Sequence, residues 1–269
     1  MPLATTISAM TLPLFVPGDR PERFAKAVAA GADAVIVDLE DAVAPEAKAA
    51  ARAGLAVGLA GLPDIPVLLR VNAADTPWHC DDLAAAAELG LAAIMLPKAE
   101  RGAGIVAAAA AARCPVVALI ETAAGLAAVD DLARASARIA FGSIDFAADL
   151  AMGHTRQSLL AARSALVLAS RLVGRPAPID GVTTAIHDAE LIVEDCAHAI
   201  ELGFAGKLLI HPAQIAPARR GFAPTEADVD WAQEVLRAAV DGTVARVGGA
   251  MVDAPVLTRA RQILARAAA

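Results

Sequence analysis

Eight times between residues 12 and 210 a short apolar run is followed by a helix-patterned segment, and this alternation limits the possible folds most. The runs cover residues 12–16, 34–39, 67–71, 93–96, 116–120, 138–141, 178–182 and 207–210. Nearly every position in them is apolar, and Gly, Pro or charged residues close them. That is the pattern of strands buried on both faces in a parallel sheet. Pro21 and Pro45 stand where helices begin, and Gly31, Gly90, Gly174 and Gly203 where helices end. No glycine-rich dinucleotide fingerprint and no P-loop lysine follows the first run. Eight repeats without those signatures favour a (β/α)8 TIM barrel over an open doubly wound sheet.

The chain has 269 residues, enough for one large α/β domain and an appendage. The division expected is a barrel catalytic domain over 1–222 and a helical lid or oligomerisation extension over 223–269. In the extension, Thr225 and Asp228 form a capping-box pattern. A loop with Gly242 and Gly248-Gly249 follows, and a last helix starts near Pro255. Net charge is −7 with no long basic run, which argues against nucleic acid or an anionic membrane as partner. Residues 1–10 lack the basic start of a signal peptide, and no uncharged apolar run reaches the roughly 18 residues of a spanning helix. Three scattered cysteines, Cys80, Cys114 and Cys196, form no disulfide pattern. These features together predict a cytoplasmic protein.

In a barrel the active site gathers at the C-terminal ends of the strands. Those positions hold Glu40, Asp41, Arg70, Lys98, Glu121, Asp145 and His211. Glu121 and Asp145 follow neighbouring runs, so they can share one rim as a site for a hard cation such as Mg²⁺. Each can equally cap the helix after it. Arg70 lies in an apolar run and must be paired, with Glu40 or Asp41, or face the mouth. Lys98 either serves the site or neutralises acids; Glu40 and Asp41 either cap helices or support metal-bound water. His211-Pro212 reads as a loop-fixing pair. The other histidines lack metal-ligand spacing, and no serine sits in a nucleophile elbow.

These residues also carry a family likeness. Leu14-Phe15-Val16-Pro17-Gly18-Asp19-Arg20-Pro21-Glu22-Arg23-Phe24 resembles the opening of citrate lyase β-subunit-like proteins in the HpcH/HpaI aldolase/citrate lyase family. So do residues 32–43, Leu69-Arg70-Val71-Asn72, Met95-Leu96-Pro97-Lys98, Ile120-Glu121-Thr122-Ala123, Phe141-Gly142-Ser143-Ile144-Asp145-Phe146 and residues 206–212, all in one order. The resemblance implies a barrel of the phosphoenolpyruvate/pyruvate-binding type, assembled as a homotrimer or hexamer. It implies Mg²⁺ on Glu121 and Asp145, with substrate contacts at Arg70 and Glu121. Residues 249–255 resemble the lid of the acyl-CoA lyase branch, in which the residue matching Asp253 enters a neighbouring subunit's site as acid/base. Asp253 can also be a helix cap ahead of Pro255. Thr11-Leu12 and Ala250 replace the family's usual Arg-Ser and lid Lys, which leaves the acyl carrier, CoA or carrier protein, open.

The implied activity is Mg²⁺-dependent carbon–carbon cleavage of a 3-hydroxyacyl thioester, of the citryl-, malyl- or citramalyl-CoA type, to acyl-CoA and a 2-oxo acid. The alternatives are an aldolase of free 2-oxo acids, a thioesterase or synthase using the same enolate chemistry, and a non-catalytic subunit of a larger complex.

Overall fold

A computed structural model describes residues 7–239, 246–247 and 250–267. The expected loop with Gly242 and Gly248-Gly249 lies outside the described residues. Two compact units divide the chain, Met1–Ala218 and Arg219–Ala269.

The first unit is built on a six-stranded parallel sheet, ordered as in the sequence. Its strands are β1 (Pro13–Pro17), β2 (Ala34–Asp38), β3 (Val67–Arg70), β4 (Ala93–Leu96), β5 (Val116–Ile120) and β6 (Arg138–Phe141). Helices α1 (Phe24–Ala29), α2 (Lys48–Leu59), α3 (His79–Ala86) and α4 (Gly102–Ala112) connect the first five strands. Two short helices, α5 (Ala123–Ala127) and α6 (Val129–Ala135), replace the single helix expected between β5 and β6. After β6 come α7 (Ser143–Asp149), α8 (Leu160–Leu172), α9 (Ala189–Leu202) and α10 (Ile215–Phe222).

The seventh and eighth expected strands do not form as strands. Each contributes single paired residues: Ile179 bridges Ala140, Asp180 bridges Lys207, and Leu209 bridges Leu14, all parallel. The hydrogen bonds are good ones, with Phe141 N–H on the Ile179 carbonyl at 2.9 Å and Phe15 N–H on that of Leu209 at 2.8 Å. The pairing stays short because Pro178 lacks an N–H, and Gly181 and Pro212 break the runs on their far sides.

Side chains at alternate strand positions fill one core: Ala34 and Ile36, Leu68, Ala93 and Met95, Val117 and Leu119, and Ala140, joined by Ile179 and Leu208. Intervening residues such as Val35, Leu69, Ile94 and Ile139 are buried too. Burial of both faces is why the runs are continuously apolar. Arg138 opens β6 fully buried, and its guanidinium donates to the carbonyls of Ile7, Met10, Ala177 and Ala205 at 2.6–3.2 Å. It ties three separate segments to β6 at the end of the strands opposite the acids.

In the second unit, α11 (Glu226–Ala239) and α12 (Ala254–Ala267) pack through Ala232, Val235, Ala260 and Ile263. A small antiparallel pair joins them, β7 (Arg246–Val247) with β8 (Ala250–Met251). The Arg259 guanidinium lies 5.0 Å above the Trp231 ring. Thr225 and Asp228 exchange side-chain-to-backbone hydrogen bonds of 3.1 and 3.2 Å, the reciprocal cap that the sequence predicts.

Candidate active site

A cavity of about 440 Å³ opens where β1–β3, β5 and β6 end; its wall includes Phe15, Asp38, Asp41, Arg70, Glu121, Ser143 and Asp145. Strand register builds one side of it. Asp38 is the partner of Arg70 across the β2–β3 pair. The guanidinium therefore meets the carboxylate side-on, with Nε donating to Oδ1 at 2.7 Å and Nη2 to Oδ2 at 2.6 Å. Nη1 lies 3.1 Å from Glu40 Oε2 and 3.2 Å from Asp41 Oδ2. The Glu40 contact is one of charge, without hydrogen-bond geometry. Phe15 packs its ring 4.9 Å from the Arg70 guanidinium carbon. Burial works against the Arg70 charge, but Asp38, then Glu40 and Asp41, hold its pKa above the ordinary value. Arg70 is thus paired and also part of the cavity wall, so the two alternatives that the sequence leaves open hold together.

Lys48, buried at the start of α2, secures the turn that carries Glu40 and Asp41. Its ammonium donates to the carbonyls of Leu39 and Glu40, each at 2.7 Å, and lies 5.1 Å from the Trp78 ring. Lys98 links the two sides. Its side chain donates to Glu40 Oε1 at 2.8 Å, and its backbone N–H donates to Glu121 Oε1 at 2.8 Å. To aim that N–H, Lys98 takes a left-handed backbone, φ 46°, costing on the order of 1 kcal/mol for a non-glycine residue. Burial lowers the Lys98 pKa, and the hydrogen bond and charge of Glu40 more than offset it, leaving the ammonium above its usual range.

Glu121 follows β5 directly and is 1 % exposed. Its Oε2 has no hydrogen-bond partner. Gly142 makes its space, since a β-carbon there would overlap Oε2. Burial, then the charges of Glu40 and Asp145, push the Glu121 carboxyl up to about 8. Asp145 is not at the end of β6 but in the first turn of α7. That turn still brings it to the cavity wall beside Glu121. Asp253 lies in the second unit, where its Oδ1 accepts the Val256 N–H at 3.1 Å and caps α12. His211 likewise caps a turn, its Nδ1 accepting the Ala213 N–H at 3.1 Å.

The donor set fits a hard cation. A buried carboxylate oxygen without a partner, beside a second carboxylate on the same cavity, is costly unless a proton or cation meets it. Among the described residues no group of three or more His, Cys, Asp or Glu could hold a metal. Two carboxylates alone leave most positions to water and substrate oxygens, as Mg²⁺ prefers.

Sequence reasoning passed over Asp38, Lys48, Ser143 and His154. A carboxylate inside the apolar run 34–39 needs a partner as much as Arg70 does, and that signal pointed to Asp38. Lys48 stands at the start of a helix, like any surface lysine. No helix of the described residues is long and apolar enough to cross a membrane.

The HpcH/HpaI aldolase/citrate lyase family model matches residues 11–212. A citrate lyase subunit beta-like protein of Deinococcus radiodurans is 38 % identical, covering 95 % of this chain and 96 % of its own. A (3S)-malyl-CoA thioesterase of Cereibacter sphaeroides is 36 % identical, covering 95 % and 94 %. Among solved structures, protein CitE from Mycobacterium tuberculosis in complex with magnesium, acetoacetate and coenzyme A superposes with a TM-score of 0.86 at 37 % identity, covering 97 % of this chain and 99 % of that one. With that match across nearly its whole length, the chain belongs to the HpcH/HpaI aldolase/citrate lyase family.

Proposed function

We propose that the protein is a Mg²⁺-dependent carbon–carbon lyase that cleaves a 3-hydroxyacyl thioester to an acyl thioester and a 2-oxo acid. The observation that carries this reading is the buried, partnerless Glu121 Oε2 beside Asp145, in a cavity whose wall includes Arg70. The fold is read as a complete (β/α)8 barrel, with the bridged segments at 179–180 and 207–209 as short staves seven and eight. Residues 223–269 are read as a lid or oligomerisation extension, and the assembly as a homotrimer or hexamer in the cytoplasm. The relative solved with magnesium and coenzyme A, and others solved with magnesium and pyruvate or oxaloacetate, support the ligand classes.

Glu121 and Asp145 would hold the ion. Bound there, Mg²⁺ supplies Lewis acidity, lowering the pKa of an oxygen it touches and polarising a carbonyl. Lys98 fixes one Glu121 oxygen with its backbone N–H, which leaves the other free. Asp38 orients Arg70 through two hydrogen bonds. Arg70 presents a fixed positive charge to the oxygen on which negative charge develops as the carbon–carbon bond breaks. Asp253, reaching over from a neighbouring copy, protonates the enolate carbon, or abstracts that proton in the reverse direction. The thioesterase relative favours a second reading, in which water opens the thioester of the 3-hydroxyacyl substrate itself and frees the thiol carrier.

A panel of acyl-CoA thioesters, followed by mass spectrometry with and without EDTA, tests the proposal. Metal-dependent appearance of a 2-oxo acid and a shortened acyl-CoA supports it; free CoA selects the hydrolytic reading. No turnover of citryl-, malyl- or citramalyl-CoA would sink it.

A further inference from the structure

The cleavage reading needs a group that takes the substrate's hydroxyl proton, and neither Arg70 nor Asp253 does so. Resting on that reading, we infer that Ser143 is a further catalytic residue and that His154 is the positioning residue through which its proton moves.

Ser143 belongs to the cavity wall together with Glu121 and Asp145, and it is 1 % exposed. Its Oγ is 3.0 Å from His154 Nε2. The space for this hydroxyl is reserved, because a β-carbon at Gly181 would overlap Oγ and stand 2.9 Å from the Phe141 carbonyl. Gly181 is in turn held by the Lys207 ammonium, 2.7 Å from its carbonyl.

His154 is exposed, yet its loop is pinned on both sides. Ala151 launches the loop with a left-handed φ of 51°. Ser158 donates to the Gly153 carbonyl, and Thr155 and Ser158 join hydroxyls at 2.8 Å. Arg156 then binds Asp195 on α9, which accepts from Thr183 at 2.6 Å. A histidine on such a loop, reaching inward to one wall serine, is geometry that packing does not require.

Burial, then the charges of Arg163 and Lys207, lower the His154 pKa, while Asp180 and Asp195 oppose them. The ring is neutral near pH 7, with one donor and one acceptor nitrogen. A hydroxyl between such a ring and the substrate can turn either way. It accepts from a substrate hydroxyl while donating to Nε2, or donates to a ketone while accepting from Nε2–H. Cleavage interconverts those two states of the substrate oxygen. The substrate O–H proton passes to Ser143 Oγ as the serine's own proton passes to Nε2. The O–H electron pair becomes the new carbonyl, and the carbon–carbon pair goes to the enolate carbon. The imidazolium then gives its Nδ1 proton to solvent.

The test compares wild type with Ser143→Ala and His154→Gln. Calorimetry reads Mg²⁺ alone and oxaloacetate in Mg²⁺ buffer; cleavage of malyl-CoA, citramalyl-CoA and citryl-CoA across pH reads turnover. We expect Ser143→Ala to leave Mg²⁺ binding unchanged, weaken oxaloacetate about tenfold and cut kcat about 100-fold. His154→Gln keeps a hydrogen-bonding side chain but loses the acidic limb of the kcat profile, with kcat about tenfold lower. Turnover of both variants within about threefold of wild type, with normal ligand binding, overturns the inference. So does an unchanged acidic limb in His154→Gln. A wild type that binds neither Mg²⁺ nor oxaloacetate defeats instead the lyase reading beneath it.

Discussion

Glu121 concentrates the conflict on which the site depends: a buried carboxylate with one oxygen satisfied and the other bare. Without a cation it keeps a proton up to about pH 8. A divalent ion must displace that proton, so affinity for Mg²⁺ should rise as pH rises and level off above about 8. Calorimetry at several pH values checks the sign; flat affinity between acid and neutral pH would contradict it. Arg70 faces a different balance, with three acids around one guanidinium. Arg70→Ala should cut turnover about 100-fold or more and destabilise the fold by about 3–5 kcal/mol, since the acids lose their counter-charge. Arg70→Lys restores charge but not the two-pronged grip on Asp38, so its turnover should recover only in part. Steady-state kinetics with thermal melts separates the two effects. The sequence shows Arg70 to be a buried charge in need of partners, because a guanidinium in an apolar run has no other outcome. It does not show Ser143 and His154 together, because they stand 11 positions apart with α7 and an irregular turn between them, and no local pattern encodes that closure.

At the scale of elements, short connections do the aiming. The turn from β6 into α7 puts Gly142 against Glu121 and carries Asp145 onto the same wall. Gly142→Ala should push the Glu121 side chain away and weaken Mg²⁺ at least tenfold, while circular dichroism shows the fold intact. Unchanged affinity would mean that this turn does not position the acid. The opposite end of the strands depends on Arg138. Arg138→Met leaves four carbonyls without their donor and should cost about 2–4 kcal/mol in denaturant unfolding. The six paired strands were legible because each is apolar at nearly every position and closed by turn residues. The last two runs look similar as letters, but Pro178 and Gly181 leave only single-residue bridges. The two-residue strands β7 and β8 are too short for any periodicity to betray them.

At the scale of the whole molecule, the proposed chemistry is divided between copies. If Asp253 works in a neighbour's site, Asp253→Asn and Arg70→Ala should each be nearly inactive alone. Mixed and reassembled, they should regain part of wild-type turnover, because some sites then hold an intact Arg70 and an intact Asp253. No recovery in assemblies shown to be mixed would leave Asp253 as the helix cap that its hydrogen bond to Val256 already makes it. Sequence alone could not decide this, since an Asp ahead of Ala-Pro caps a helix whichever copy it serves. In the proposed chemistry one divalent ion sits between Glu121 and Asp145. Crystals grown with Mn²⁺ and oxaloacetate test it through the anomalous signal of the metal. A single strong peak about 2.1 Å from carboxylate oxygens of both residues is the result expected. A peak elsewhere, or none beside the bare Glu121 oxygen, would contradict it.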